Sequence, residues 1–194
     1  PYPMAHGGAR KTFGSGWTDA GIICPWTLWR VYGDRRLLER QWDSMTRFMQ
    51  WRHAGTTSEG LGASLGNPWG DWLNLNEKTP VEFIDTCYYA LDCALMAEMA
   101  DALGRTTEAA FYTANRARTA AAFARHYVRP DGSLTVDTQT AYVLALANDL
   151  IPPGQVAPAA ARLKEKIEQN GNRMATGFLG TRAPAFLYAH QVLT

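Results

Sequence analysis

Charge imbalance is the first thing this chain lacks: nineteen Lys plus Arg stand against eighteen Asp plus Glu in 194 residues, a formal net charge of +1. No general field is on offer to a polyanion or an anionic lipid surface, so neither nucleic acid nor membrane is expected as a partner. Long apolar runs are missing too. The longest are a few residues, against the roughly 20 that a membrane-spanning helix requires, and no charged-then-apolar leader opens the sequence. Cysteine is scarce, with Cys24, Cys87 and Cys93 forming an odd set without metal or redox spacing. They are expected to be buried free thiols, which favours a reducing, cytoplasmic setting. His6, His53, His126 and His190 are scattered, no two of them four apart on a helix, so no metal site is expected. Gly7-Gly8 and the other glycine pairs follow no strand and open no phosphate loop, so no cofactor is expected.

Two further absences are local. Residues 1–18 contain no Asp or Glu, and there is no tryptophan after residue 72. What is present, 46% hydrophobic and 19% charged residues, suffices for a core in one or at most two domains and excludes intrinsic disorder. All seven tryptophans, Trp17, Trp26, Trp29, Trp42, Trp51, Trp69 and Trp72, fall in the first 72 residues. Rings near loops suit a carbohydrate cleft, because a sugar's apolar face stacks on indole while the indole N–H bonds a hydroxyl. Trp26, Trp29, Trp42 and Trp51 lie in helical patterns and are expected in the core.

Periodicity reads as helices throughout. Ile22, Ile23, Trp26, Leu28, Trp29 and Val31 predict a helix over Asp19 to Tyr32, ended by Gly33 as a left-handed cap, and Asp34 caps the next one, which runs to Arg52. Gly55 to Asn76 breaks the pattern with a loop of about twenty residues, a length that is usually functional or disordered; because it contains Trp69-Gly70-Asp71-Trp72, a functional loop is favoured. Thr79-Pro80-Val81-Glu82 reads as a capping box opening a third helix that closes at Gly104. A fourth is predicted from Thr107 to Tyr127 with Phe111, Tyr112 and Phe123 inward, a fifth from Thr138 to Leu150, and a sixth from Val156 to Gln169. Ser133 to Val136 reads as extended, Asn172 to Pro184 as a loop, and the last ten residues as the start of a seventh helix. The fold class is therefore all-α: helical hairpins joined alternately by tight turns and long loops, as in a repeat array or an α/α barrel. Without a strict short period, a barrel or part of one is favoured.

Four motifs in order carry a family resemblance: Gly14-Ser15-Gly16-Trp17-Thr18-Asp19-Ala20-Gly21 with Pro25-Trp26-Thr27-Leu28 and Tyr32-Gly33-Asp34, then Gly70-Asp71-Trp72-Leu73, Gln139-Thr140-Ala141-Tyr142 and Thr176-Gly177-Phe178-Leu179-Gly180-Thr181. The chain resembles the catalytic core of bacterial α-L-rhamnosidases of glycoside hydrolase family 78 over nearly its whole length. The resemblance implies an (α/α)6 six-hairpin barrel, of which residues 1–194 are about half, as a single catalytic domain or the N-terminal part of one. It also implies removal of terminal α-L-rhamnose with inversion, without cofactor or metal, from a rhamnosylated glycoside. Inversion needs a carboxylic acid and a carboxylate roughly 6.5–9.5 Å apart. The family's usual acidic glutamate precedes the Gly-Trp pair, where this sequence has Phe13, and its general base lies beyond Thr194.

By the same resemblance Asp19 and Asp71 are the catalytic candidates, Asp19 being the first acidic residue and the only local proton donor. Burial against Trp17 would have to raise its pKa for that role; the plain alternatives are a helix cap for Asp19 and an Asx turn for Asp71. Trp17, Trp69, Trp72, Gln139, Thr176 and Phe178 are the candidate substrate-binding residues, with Gln139 and Tyr142 reaching toward a barrel mouth. Glu82 is assigned to its capping box. Asp85 and Asp92, seven apart, read as a solvated polar edge rather than an acid/base pair. Alternatives remain open: a non-catalytic rhamnose- or deoxysugar-binding module, another six-hairpin glycosidase or lyase, or a helical-repeat interaction domain. Half a barrel would expose apolar surface, so self-association or docking of the remaining barrel segment is expected.

Overall fold

The computed structural model describes residues 14–62 and 69–182. It is built of helices: α1 (Ala20–Tyr32), α2 (Arg36–Ala54), α3 (Val81–Ala102), α4 (Thr106–Tyr127), α5 (Gln139–Ala147), α6 (Val156–Gln169) and the short α7 (Phe178–Arg182). Among the described residues, extended pairing is confined to one isolated bridge between Val128 and Leu134.

The predicted punctuation holds at two tight turns. Gly33 takes φ 70° and returns its N–H to the Trp29 carbonyl, while Asp34 accepts the Arg36 amide at 3.0 Å. Gly104, also at φ 70°, ends α3 by letting Arg105 N–H reach back to Ala100 O. A positive φ is the geometry that lets the chain reverse while satisfying a last-turn carbonyl, and glycine adopts it without a Cβ penalty.

Consecutive helices pack in pairs, α1 with α2, α3 with α4, and α5 with α6. The odd-numbered helices also touch in succession, α1 to α3 to α5 to α7, whereas among the described residues no two of α2, α4 and α6 meet. The result is an inner row backed by an outer row. α3 lies in the middle of the inner row, and fourteen of its 22 residues are buried. It is therefore buried nearly all round, as expected of an element with neighbours on every side. α1, at one end of the row, buries only Ile22, Ile23 and Pro25 and leaves Leu28, Val31 and Tyr32 at 44%, 67% and 75% exposure. An apolar groove of about 340 Å³ runs along the inner row, lined by Ile23, Trp26, Leu91, Leu95, Leu144 and Leu179.

Several expectations are corrected by packing. Asp85 and Asp92 are not on a solvated edge: both are fully buried, because α3 has no solvated edge at that height. The capping box does not form. Pro80 is extended (φ −57°, ψ 139°) and precedes the first helical residue, and the Thr79 hydroxyl bonds the Thr138 hydroxyl at 2.7 Å instead. Thr138 in turn accepts the Ala141 amide and caps α5. α5 ends at Ala147 rather than Leu150, since Asp149 turns to φ 49° and Leu150 N–H closes onto Ala145 O. A helix stands at Phe178–Arg182 inside the predicted Asn172–Pro184 loop, while the helix expected over the last ten residues lies outside the described residues, as does Phe13. Cys24 is exposed, unlike Cys87 and Cys93. Phe111 is half exposed, and of the four core tryptophans only Trp42 is fully buried, Trp51 lying at the surface. Tyr142 is buried too, its hydroxyl accepting the Leu134 amide, so it does not reach a barrel mouth.

Candidate functional site

Three separated sequence motifs meet at the carboxylate of Asp71. It is 2% exposed and accepts four hydrogen bonds: from Thr140 Oγ1 at 2.5 Å, Gly177 N at 2.7 Å, Leu179 N at 2.9 Å and Gly180 N at 3.2 Å. Three of those donors are the orphan amides at the start of α7. The start of α7 is fixed by a carboxylate from more than a hundred positions upstream, which caps it. The backbone joins in, with Phe178 N–H donating to Trp72 O at 3.0 Å. Gly177 fits because it has no Cβ, which would lie 2.3 Å from Trp72 O.

This clamp builds an aromatic wall. Trp72 and Phe178 stack at 5.8 Å and 24°, Trp17 meets both edge-on at 6.1 and 6.0 Å, and Trp69 meets Trp72 at 6.3 Å. Trp72 and Phe178 remain 41% and 54% exposed. Trp17 Nε1 donates to Gly70 O at 3.4 Å. Beside the wall lies a cleft of about 540 Å³ lined by Trp69, Asn74, Lys78, Thr79 and Glu82 among others. Apolar ring faces next to polar side chains are what a pyranose requires of a protein: stacking for its C–H face and bonds for its hydroxyls.

Asp19 sits behind the wall. Its carboxylate is fully buried, Oδ2 accepts the Gly16 amide at 2.8 Å, and Oδ1 lies 3.5 Å from Arg52 Nη2. The bond to Gly16, whose φ is 84°, fixes the turn that carries Trp17. Arg52 also donates to Ser15 Oγ at 2.6 Å and to the Asp85 carbonyl at 3.3 Å, and its Nη2 lies 3.7 Å from Asp92 Oδ2. Burial, followed by the neighbouring Asp19 charge, pushes the Asp92 carboxyl well above the usual carboxylate range.

Of the remaining candidates, Gln139 is buried; its Oε1 accepts Ala175 N at 2.9 Å and its Nε2 donates to Arg173 O at 3.2 Å, tying the segment before Thr176 to α5. Thr176 pairs its hydroxyl with Thr181 at 2.9 Å. The structure thus brings Trp17, Trp69, Trp72, Phe178, Asp71 and Thr176 into one region, with Asp19 and Gln139 behind it. Arg52 and Asp92 belong to the same assembly; Asp92 was read from sequence as part of a solvated edge, and Arg52 was not singled out, although a lone Arg in the apolar periodicity of α2 was a usable signal. Among the described residues no group of His, Cys, Asp and Glu has the arrangement of a metal site.

Residues 1–191 match the bacterial alpha-L-rhamnosidase six-hairpin glycosidase domain. The chain is 41% identical over 168 residues to an alpha-L-rhamnosidase of Streptomyces avermitilis, covering 86% of this chain and 16% of that protein. It is 35% identical over 175 residues to one of Formosa agariphila, covering 86% and 19%. In structure it superposes on the S. avermitilis alpha-L-rhamnosidase complexed with L-rhamnose with a TM-score of 0.85 at 37% identity, over 93% of this chain and 17% of that one. The corresponding values for the Aspergillus terreus enzyme are 0.86 and 28%, over 96% and 23%. The chain therefore spans less than a quarter of the length of these relatives, and it belongs to the bacterial alpha-L-rhamnosidase six-hairpin glycosidase family.

Proposed function

We propose that residues 1–194 are the N-terminal part of an α/α-barrel catalytic domain that removes terminal α-L-rhamnose from rhamnosylated glycosides with inversion, and that they supply the sugar-stacking wall of its site. The observation that carries this reading is the exposed, stacked Trp72–Phe178 pair, flanked by Trp17 and Trp69 and held from behind by Asp71. Trp17, Trp69, Trp72 and Phe178 bind the sugar, Thr176 borders them, and Gln139 supports the segment that precedes Thr176. In this reading Asp19 and Asp71 serve as positioning residues, since both carboxylates are turned inward to protein donors. The acid and base of the inverting pair then come from other residues of the enzyme. The apolar groove and the exposed stripe Leu28, Val31 and Tyr32 receive the remaining barrel helices.

The test is hydrolysis of p-nitrophenyl α-L-rhamnopyranoside together with calorimetric titration of L-rhamnose, on the parent chain and on Trp72→Ala and Asp19→Asn. Rhamnose binding that Trp72→Ala weakens by 10-fold or more is expected. Turnover by the parent chain that Asp19→Asn abolishes would give Asp19 the acid's role instead. A second reading is favoured by the same inward carboxylates: a rhamnose-binding module without hydrolysis, marked by binding with no turnover even when the other barrel helices are supplied. No described helix is long and apolar enough to cross a membrane, and the free thiols fit a reducing, cytoplasmic setting.

A further inference from the structure

Behind the aromatic wall, two carboxylates and one guanidinium are closed off from water. Asp19 and Asp92 have no exposed side-chain surface and Arg52 has 3%. Arg52 Nη2 lies between them, at 3.5 Å from one carboxylate and 3.7 Å from the other, too far for a strong charge-assisted bond to either. Its better-placed bonds go to Ser15 Oγ and the Asp85 carbonyl.

Two buried negative charges facing one positive charge leave an excess that low-dielectric surroundings penalise heavily. The hydrogen-bond inventory has the same shortfall. Both oxygens of Asp92 and Oδ1 of Asp19 are buried with no donor from another group, whereas buried oxygens are almost always satisfied. Asp19 Oδ1 and Asp92 Oδ2 are brought together on the same Arg52 nitrogen, at 3.5 and 3.7 Å from it. One added proton neutralises the excess charge and, by making Asp92 an O–H donor to Asp19, satisfies two of the three orphaned oxygens.

We propose that Asp19 and Asp92 share a single proton, with Arg52 as their counter-charge, and that Asp92 is thereby a positioning residue holding the turn that carries Trp17. The chain of contacts is short. The Asp92 proton orients the Asp19 carboxylate, whose other oxygen accepts the Gly16 amide, and Arg52 holds the Ser15 side of the same turn. Trp17 follows directly and closes the wall through its edge contacts to Trp72 and Phe178. The other groups facing the pair do not supply the proton's role. Asp85 contributes its carbonyl to Arg52, and the Cys93 thiol, pushed up to about 12 by burial and by Asp92, stays neutral. The inference that Asp92 matters to ligand binding rests on the proposed rhamnose site; the shared proton does not.

The experiment is therefore in two parts on the 194-residue chain. Carbon-13 NMR of Asp carboxyls is followed against pH in the parent and in Asp92→Asn. One aspartate is expected to titrate well above the ordinary range in the parent and to vanish from the variant. All carboxyls titrating in the ordinary range would overturn the shared proton, whether or not rhamnose binds. Then L-rhamnose affinity and Trp17 fluorescence are compared in Asp92→Ala and Asp92→Asn, with Trp17→Phe to assign the signal. Asp92→Ala is expected to shift Trp17 emission and weaken binding by about 10-fold, while Asp92→Asn, which keeps a neutral donor, restores both to within about 2-fold. Equal losses in the two variants, or no effect of alanine on Trp17, would overturn the positioning role. A parent that does not bind rhamnose defeats the proposed function alone, because emission and titration still report on the pair.

Discussion

Asp71 and Asp92 are both sealed inside the protein, and they are stabilised in opposite ways. Asp71 is surrounded by four donors, three of them backbone amides at a helix start, so its negative charge is solvated by the protein itself. Asp92 has no such donors, shares one arginine with Asp19, and is driven toward its neutral acid. Burial alone therefore does not decide the charge of a carboxylate. The number of N–H groups aimed at it does.

The largest expected effect is the loss of the well-solvated one. Asp71→Ala leaves three amides and a hydroxyl without an acceptor in a closed site, at a cost of about 3–5 kcal/mol in unfolding free energy by urea denaturation. It should also free α7 and remove rhamnose binding. Asp71→Asn recovers little of this, since its amide nitrogen faces donors. A loss below about 1 kcal/mol for alanine would mean that water or the neighbouring carbonyls cap α7 as well as Asp71 does.

Next in size is the fit that brings α7 to Asp71. A Cβ on Gly177 would sit 2.3 Å from Trp72 O and 2.6 Å from Asp71 O, both rigid backbone, so Gly177→Ala is expected to cost about 2–3 kcal/mol and to lower Trp72 stacking on Phe178. Gly154→Ala, where nothing lies within 4 Å, should stay within about 0.5 kcal/mol. Thermal unfolding of the two variants side by side checks the contrast.

These particulars explain what was legible in the sequence. The helices and the Gly33 and Gly104 reversals were readable because they depend on neighbours within one turn. The Trp17, Trp69, Trp72 and Phe178 grouping was legible only through motif resemblance, since no local rule places residues 17 and 178 together. α7 was missed because the cap that starts it comes from Asp71, far away in sequence. Asp85 and Asp92 were misread because charge on a long helix usually faces water, and the sequence of α3 does not disclose that α1, α2, α4 and α5 cover it. The thwarted capping box has the same origin: Thr79 answers to Thr138, 59 positions away.

The poorly solvated carboxylate should show itself through pH. Because the folded chain holds Asp92 protonated above the range in which the unfolded chain releases that proton, its contribution to stability is greatest in acid. It falls as pH rises toward the folded value, by at most about 1.4 kcal/mol per pH unit. Asp92→Asn has no proton to release, so its stability curve should meet the parent's in acid and rise above it toward neutrality. His53, whose pKa is lowered by burial and by Arg118, contributes a slope of opposite sign that is common to both proteins. Urea unfolding from about pH 4 to 8 measures the divergence; parallel curves would mean that Asp92 is ionised in the folded state.

The smallest effect belongs to a third aspartate, which sharpens the rule from the solvent side. Asp34 lies at the surface, its side chain 42% exposed, and is held down at about 2 by the Arg36 side chain and amide. Its donors resemble those of Asp71 in kind, but water competes for each of them, and salt screens the ion pair. Because its folded value is depressed, whatever it contributes is present above the unfolded pKa and is lost as pH falls toward about 2, the reverse of Asp92. Asp34→Ala should therefore produce the smallest shift in unfolding midpoint of the series, appearing above the acid limb and shrinking as salt is raised. A shift as large as that of Asp71→Ala, insensitive to salt, would mean that donor number governs stability at the surface as it does in the interior.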